Sequence, residues 1–246
     1  MKIRLDKLLV ERGLVETRER AQALILSGRV LVNEQKVEKS GALTASEAAI
    51  RLLGEDLRYV SRGGLKLEEA LAHWKIALAG RTCLDVGTST GGFVDCMLQH
   101  DASAVIAVDT GRGQIAAKLR SDRRVRLLEN YNARFLKAED VPEEISFAAM
   151  DVSFISATLI FPAVQNALQG RLREAVVLVK PQFEAGREHV GKGGIVRDVQ
   201  AQRAAVERVA ACVRQCGGVD IEVIESPILG GEGNREFLLY ARFTED

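Results

Sequence analysis

The 246-residue sequence has few of the features that mark exported, membrane-spanning or disordered chains. It contains only four cysteines and four prolines, its aromatic content is 5%, and its 34 basic residues are balanced by 34 acidic ones. Four cysteines without a metal-binding spacing exclude a disulfide scaffold and fit a reducing compartment. With 47% hydrophobic residues the chain can bury a core, so we expect a folded protein.

Long apolar segments are also missing. The first residues, MKIRLDKLLVERG, carry charges throughout and lack the apolar stretch of a signal peptide. The longest uncharged run, residues 152–170, contains too many polar side chains for a membrane span. We therefore expect a cytoplasmic protein that does not enter a membrane. Three histidines, His73, His100 and His189, suggest no metal site.

Two different patterns divide the chain near residue 60. Before this point, two short amphipathic helices are predicted, each followed by a glycine, and then a tight hairpin around Asn33. After it, five apolar runs of strand length alternate with helical stretches: RTCLDVG, SAVIAVD, RVRLLEN, ISFAAMD and EAVVLVK. This alternation is typical of βαβ units and a buried parallel sheet. Two further runs, VDIEVIESP and REFLLYARF, would close one edge of the sheet.

These patterns predict a small α+β domain over residues 1–60 and a doubly wound α/β domain over residues 61–246. The segment 58–64, RYVSRGG, has the short, polar and glycine-rich character of an interdomain linker.

A glycine-rich loop follows the first predicted strand of the α/β domain. The sequence DVGTSTGGF, residues 85–93, lies between a strand and a helix, where glycine lets the backbone approach a bound cofactor. Asp109 ends the next strand, where an acidic side chain can accept hydrogen bonds from ribose hydroxyls. NAD and S-adenosylmethionine both satisfy this pattern, so the loop alone does not choose between them.

Charged residues are expected around the same loop. Asp151 and Lys180 each follow a predicted strand, and adjacent strands lie about 5 Å apart, so the two side chains can meet at the carboxyl edge of the sheet. Glu236 and Lys66 could add a second carboxylate and a second cation. Taken alone, each of these residues is better explained as a surface charge or a helix cap, but their joint occurrence around a cofactor loop predicts a catalytic site.

Ordered motifs along the whole chain carry a family resemblance. They are RLDKLL, GRVLVN, YVSRGGLKL, LDVGTSTGGF, MDVSFIS, LVKPQFE, HVGKGGIVRD, SPILGGEGN and NREFLLY. The sequence resembles the TlyA, or hemolysin A, family, whose larger part is similar to the FtsJ-type ribose 2′-O-methyltransferases of RNA. The resemblance implies a Rossmann-like methyltransferase domain with a seven-stranded, mostly parallel sheet, preceded by a small S4-like RNA-binding domain.

The resemblance also implies roles for individual residues. The Lys-Asp-Lys-Glu tetrad of the FtsJ-type enzymes is matched by Lys66, Asp151, Lys180 and Glu236. Lys180 is expected to contact the reacting hydroxyl, oriented by Asp151 and Glu236, while Lys66 positions the hydroxyl or a nearby phosphate. The cofactor S-adenosylmethionine is expected along Asp85, Gly87, Ser89, Gly91 and Gly92, with Asp109 at its ribose and Asn132 near its adenine.

Basic residues point to RNA as the partner. The small domain contains Arg4, Lys7, Arg18, Arg20 and Arg29, which are suited to hold phosphates. Lys192 and Arg197 lie either in an RNA-contacting loop or in a flexible surface loop. Between residues 110 and 127, six basic residues against one acid form either a solvated face or an RNA surface. Few aromatics favour a structured RNA held by shape, and the family implies cytidines of 16S and, in some members, 23S ribosomal RNA.

Three alternatives to an RNA methyltransferase fit the sequence less well. An RNA-binding accessory protein without activity is disfavoured by the complete tetrad. A membrane-lytic protein is disfavoured because this sequence shows no signal peptide, no spanning segment and no basic amphipathic helix. An NAD-dependent oxidoreductase leaves both the tetrad and the small N-terminal domain unexplained.

Overall fold

The protein folds into two compact units, Met1–Asp56 and Leu57–Asp246. The structure, a computed structural model, describes residues 2–15, 17–26, 28–53, 58–168, 173–230 and 233–244. Within these residues, no helix combines the length and the apolar character that crossing a bilayer requires.

The smaller unit combines short strands with two amphipathic helices in the part of it that is described. Its elements are β1 (Lys2–Arg4), α1 (Leu5–Glu11), α2 (Arg18–Leu26), β2 (Val30–Val32), β3 (Gln35–Lys36), β4 (Leu43–Ala45) and β5 (Ile50–Leu52). Strand β1 pairs with β4, and β2 lies between β3 and β5, all in antiparallel register. The predicted hairpin joins β2 to β3 through Asn33 and Glu34, whose positive φ angles match the twist of a two-residue turn.

A buried carboxylate ties the two helices of this unit to β1. Asp6 is fully buried and accepts hydrogen bonds from the side chains of Arg4, Arg18 and Gln22, at 2.9 to 3.0 Å. The Arg4 guanidinium, together with Arg18, holds the pKa of Asp6 well below its usual range despite burial. The apolar faces of both helices close the core beneath it, with Leu5, Leu9, Leu24 and Ile25 buried.

The larger unit is a three-layer α/β structure. Its helices are α3 (Gly63–His73), α4 (Gly92–Gln99), α5 (Ala117–Arg120), α6 (Phe161–Leu168), α7 (Pro181–Glu184) and α8 (Val199–Gln215). Its strands are β6 (Thr82–Val86), β7 (Ala104–Val108), β8 (Val125–Leu128), β9 (Ile145–Met150), β10 (Glu174–Val179), β11 (Gly218–Glu225) and β12 (Phe237–Phe243).

These strands form one sheet in the order β11-β12-β10-β9-β6-β7-β8. Strand β12 is antiparallel to both of its neighbours, whereas the pairs from β10 to β8 are parallel. The predicted seven-stranded, mostly parallel sheet is therefore confirmed.

Apolar side chains cover both faces of this sheet, because parallel strands between two helix layers are buried on each side. Leu84 and Val86 of β6 face the cluster that contains α6 and α8, while Cys83, the residue before Leu84, faces the cluster around α3 and α4. Phe147 of β9 lies in this second cluster and is fully buried.

Residues 58–64 pack as part of the larger unit and are not an extended linker. Tyr59 is buried, and the backbone N–H of Val60 donates to Asp95 at 2.7 Å. Helix α3 already begins at Gly63, and a Cβ atom at Gly64 would overlap the Tyr59 ring. The polar, glycine-rich composition of this segment reflects close packing at the start of a helix. The predicted boundary at residue 60 stays a prediction.

Replacing Phe147 with alanine should lower the free energy of unfolding of the larger unit by about 3 to 5 kcal/mol, because the change removes a large buried ring and leaves a cavity. Urea unfolding measures this difference. Phe135→Ala is the matched control, since Phe135 is 65% exposed and its loss should cost less than about 0.5 kcal/mol. Equal effects of the two variants would contradict the described core.

Candidate active site

The site forms where the parallel strands end. The register pairs Val86 of β6 with Met150 of β9, and Met150 with Val177 of β10, so these three strands end at the same edge of the sheet. Asp151 follows β9 and Lys180 follows β10 directly. The carboxyl edge of an open parallel sheet is the usual place for a ligand.

The antiparallel strand β12 brings Glu236 to the same edge from the other direction. Phe237, its first residue, pairs with Val179, the last residue of β10. Glu236 precedes β12 and therefore lies level with Lys180. Lys66 reaches the same place from α3.

The four tetrad residues meet as two separate ion pairs. Lys180 Nζ lies 2.5 Å from Asp151 Oδ1 and donates a hydrogen bond to Ser153 Oγ at 2.7 Å. Lys66 Nζ donates to Glu236 Oε2 at 2.5 Å. Both lysines are only 8% exposed. The structure thus differs from the expectation that Glu236 orients Lys180, because its carboxylate is paired with Lys66.

A cleft of about 310 Å³ opens between these pairs and the glycine loop. Its walls come from segments 61–66, 87–93, 151–153 and 228–230, together with Lys180. Lys66, Asp151 and Lys180 line the cleft directly, whereas Glu236 lies behind Lys66. Gly230 packs on the Glu236 carboxylate so closely that a Cβ atom would overlap it. The cleft can therefore hold a small molecule beside two nearly buried ammonium groups.

The glycine loop forms the floor of the cleft. Gly87 has a φ of +91° and a Cβ atom there would overlap the backbone oxygen of Asp151, so glycine is needed for the loop to lie against this turn. Ser89 adopts a left-handed conformation with φ of 48°, and its backbone N–H donates to Asp109 Oδ2 at 2.7 Å. The helix α4 then begins at Gly92.

Asp85 lies beneath this loop as an uncompensated acid. It is fully buried, and neither of its carboxylate oxygens has a hydrogen-bond partner among the described residues. Burial raises the pKa of Asp85 to about 8; the neighbouring Thr88 hydroxyl opposes this rise, and the nearby Asp151 and Asp109 add to it. A buried, unpartnered carboxyl group is costly unless a ligand supplies a cation or donor. Asp85 therefore favours a ligand with a positively charged part.

Asp109 borders a second, smaller pocket next to the cleft. Its two carboxylate oxygens accept from the backbone N–H groups of Ser89 and Gly111, at 2.7 and 2.6 Å. Each oxygen keeps a second lone pair, which can accept from a ribose hydroxyl. Beyond Asp109 the pocket is lined by Gln114, Ile115, Leu127 and Glu129. Its mixture of apolar and polar side chains is of the kind that contacts a nucleobase, although the enclosed space of about 10 Å³ holds no more than a water molecule in this structure.

Asn132 does not take part in either pocket. It is exposed, and its side-chain oxygen accepts a hydrogen bond from the backbone N–H of Arg134 at 3.0 Å as the cap of a short turn.

Three residues that line the two pockets were not predicted from the sequence. Gln114 and Glu129 are two of them, although Glu129 directly follows strand β8, a position that could have suggested it. The third is Ser153, which lies inside the quoted motif MDVSFIS.

Most of the basic stretch between residues 110 and 127 is neutralised by acids. Four of its six basic residues form ion pairs: Lys118 with Asp95, Arg120 with Glu129, Arg124 with Asp122, and Arg126 with Glu143. Three of these acids lie outside the stretch, so the local charge is well below what the sequence suggests. The structure supports a solvated, paired face here.

The remaining predicted RNA contacts occupy different environments. Lys7, Lys192 and Arg197 are exposed, and Arg4 and Arg18 remain partly exposed while they bond to Asp6. Arg20 lies on α2, close to the N-terminal end of that helix. Arg29 instead donates to the backbone oxygen of Leu53 and thereby links β2 to the end of β5.

The larger unit has the fold of the S-adenosylmethionine-dependent methyltransferases. The defining features are the antiparallel β12 at the end of a parallel sheet, the glycine loop after β6 and the acid at the end of β7. A solved S-adenosylmethionine-dependent methyltransferase from Mesorhizobium loti shares this fold with a TM-score of 0.51 at 16% identity, over 70% of this chain and 95% of that one.

Sequence comparisons give the family. The FtsJ-like methyltransferase model matches residues 59–243, and the S4 domain model matches residues 3–43. The 16S/23S rRNA (cytidine-2'-O)-methyltransferase TlyA of Mycobacterium tuberculosis is 40% identical over 99% of this chain and 91% of that protein. A solved structure from Streptococcus thermophilus that carries the hemolysin name has a TM-score of 0.76 at 44% identity, over 99% of this chain and 90% of that one.

The chain belongs to the FtsJ-like methyltransferase family, in the TlyA group that joins this domain to an S4 domain. The predicted enzyme class and the predicted cofactor, S-adenosylmethionine, are confirmed. The cofactor also fits the residues present, because its positively charged sulfonium and ammonium groups complement the unpartnered Asp85. The alternative of an NAD-dependent oxidoreductase is thereby set aside.

The raised pKa of Asp85 predicts a pH dependence of stability. An unfolded aspartate titrates near pH 4, so between about pH 4 and 8 the folded cofactor-free protein holds a proton that the unfolded chain lacks. The folded state therefore loses stability as pH rises through this window. Asp85→Asn, which cannot ionise, should gain stability relative to the unsubstituted protein between pH 5 and 8, by up to about 1.4 kcal/mol per pH unit.

Urea unfolding without cofactor at pH 5, 7 and 9 measures this difference. Asp122→Asn is the control, because Arg124 lowers the pKa of Asp122 and its titration lies below this range. The Asp122→Asn difference should stay constant from pH 5 to 9. A constant difference for Asp85→Asn as well would contradict the raised pKa.

Proposed function

We propose that this protein transfers a methyl group to the ribose 2′-hydroxyl of a cytidine in ribosomal RNA, in 16S RNA and, as a second substrate, in 23S RNA. The observation that carries the proposal is the placement of Lys180 at the cleft wall, held by Asp151 and Ser153, beside the glycine loop. The name of the Mycobacterium tuberculosis relative supports the choice of RNA and nucleoside.

The chemistry requires a base and a positioned hydroxyl. When bound, S-adenosylmethionine supplies a methyl group on a positively charged sulfur. A ribose hydroxyl is a weak nucleophile near neutral pH and must lose its proton as it attacks. We assign this proton to Lys180: its side-chain nitrogen would take the proton as the ribose oxygen takes the methyl group that the cofactor would supply, and Asp151 would balance the ammonium that results.

The second ion pair has a positioning role in this scheme. Lys66 lines the cleft, and Glu236 behind it fixes the direction of its ammonium group. We assign Lys66 to the target hydroxyl or to the neighbouring phosphate, because an ammonium is a good point contact for either. Glu236 acts through Lys66 and does not face the cleft itself.

The cofactor is assigned to the loop and the pocket beside it. We propose that Gly87, Ser89, Gly91 and Gly92 approach it through the backbone, that Asp85 balances its positive charge, and that Asp109 binds its ribose. The adenine is assigned to the pocket with Gln114 and Glu129, because Asn132 points its side chain into a turn. This changes one part of the site expected from the family pattern.

RNA phosphates are assigned to the basic residues of both units. These are Arg4, Lys7, Arg18, Arg20, Lys192 and Arg197. Phosphate contacts give affinity without sequence preference, so target choice would depend on RNA shape and on the cleft. We propose ribosomal subunits in the cytoplasm as the physiological partner.

Transfer of labelled methyl groups from S-adenosylmethionine tests the proposal. Purified 30S subunits, 50S subunits and free ribosomal RNA are compared, and nuclease mapping identifies the modified nucleotide. Incorporation should reach one methyl per particle at a cytidine ribose. Lys180→Ala should lower the rate at least 100-fold while it still binds the cofactor, because it removes the base. Lys137→Ala, an exposed lysine, is the control and should stay active. Cofactor binding without transfer to any of these RNAs would overturn the proposal.

Salt dependence tests the RNA contacts. The double variant Lys7→Gln/Lys192→Gln should reduce the slope of log binding constant against log salt by about 1 to 2, because each lost phosphate contact removes close to one released counterion. The double variant Lys39→Gln/Lys137→Gln removes the same charge from exposed positions of both units and should keep the slope. Equal slopes for both variants would remove Lys7 and Lys192 from the RNA-binding surface.

A further inference from the structure

Ser153 holds a position that the tetrad does not account for. It lies two residues after Asp151, lines the cleft, and its hydroxyl accepts from Lys180 Nζ at 2.7 Å. Among the described residues, the Lys180 side chain makes its hydrogen bond to Ser153. Its contact with Asp151 Oδ1 is an ion pair without hydrogen-bond geometry. Ser153 is exposed and fills no gap in the core, so its side chain has no packing role.

We propose that Ser153 is a positioning residue that aims the amine of Lys180 at the target hydroxyl; the inference rests on the proposed function. An amine that has lost one proton keeps two N–H groups and one lone pair. With one N–H directed to Ser153 and the nitrogen held 2.5 Å from the Asp151 carboxylate on another side, the lone pair is left to face the open side of the cleft. Asp151 alone would leave the amine free to rotate about its last bond.

The backbone around Ser153 is built to keep this direction. The next residue, Phe154, adopts a left-handed conformation with φ of 64°, which is costly for a large side chain and persists only where its surroundings require it. Its ring contacts the ring of Phe183 at 5.3 Å between centroids. Phe183 lies on α7, which begins directly after Lys180. The contact links the turn of Ser153 to the turn of Lys180, but it covers little of the Phe154 ring, which is 92% exposed.

A second serine in the same segment provides the comparison. Ser156 donates to the buried carboxylate of Glu184 and caps a short turn, and it does not line the cleft. Ser156→Ala should affect stability through this carboxylate, whereas Ser153→Ala should affect the chemical step. The two substitutions remove the same hydroxyl group from positions three residues apart.

Steady-state methyl transfer gives the first test. Ser153→Ala should lower kcat about 10- to 100-fold, the loss expected for one hydrogen bond to a charged group, with little change in KM for either substrate. Ser153→Thr, which keeps the hydroxyl, should recover most of the rate.

Amine labelling gives a second test that needs no turnover. With trace acetic anhydride on the cofactor-free protein, mass spectrometry compares acetylation of Lys180 with that of Lys137 in the same sample. Ser153→Ala should raise the ratio several-fold, and Ser156→Ala should leave it unchanged. Unchanged labelling in Ser153→Ala, or a kcat equal to that of the unsubstituted protein, would overturn the role of Ser153. An unsubstituted protein that methylates no RNA would overturn the proposed function, and the labelling ratio would still decide on Ser153.

Discussion

The active cleft depends on the direction of β12. Parallel strands place only their carboxyl ends at the ligand edge, so a residue that precedes a strand can reach this edge only if that strand runs the other way. The pairing of Phe237 with Val179 achieves this and sets Glu236 beside the end of β10. A shift of one residue would turn every side chain of β12 to the opposite face, and Lys66 would lose its partner.

The two lysines of the site have different partners: Lys66 pairs with Glu236, and Lys180 pairs with Asp151. Lys66 is held by a carboxylate that is itself almost fully buried, so its ammonium is fixed and stays a cation contact. Lys180 faces a more exposed carboxylate and a serine hydroxyl at the cleft. Two chemically identical side chains, a short distance along the sheet edge, thus have different environments and suit different tasks. The difference comes from their neighbours and not from the lysines themselves.

The sequence predicted those features that depend on local pattern or strand order. The apolar runs became β6 to β12, and Asp151 and Lys180 could be placed together because each directly follows a strand. It did not predict that Glu236 pairs with Lys66, since Glu236 reaches the site through an antiparallel pairing that no periodicity encodes. The basic stretch looked highly charged because three of the acids that pair with it lie outside the stretch. Asn132 is polar and close to a strand end, but its side-chain oxygen accepts a hydrogen bond from the backbone of Arg134 and caps a short turn.

The ion-paired arginines Arg124 and Arg126, at the β8 edge of the sheet, oppose the pairing of a further strand with this edge. Strand β8 is an edge strand, and an edge offers free backbone groups to which another chain can add. Arg124 and Arg126 flank and enter this strand, each held by an acid that keeps the charge in place. At the opposite edge, β11 carries Asp220, Glu222 and Glu225. Charged residues at both edges of the seven-stranded sheet oppose the addition of further strands, and therefore oppose aggregation through these edges.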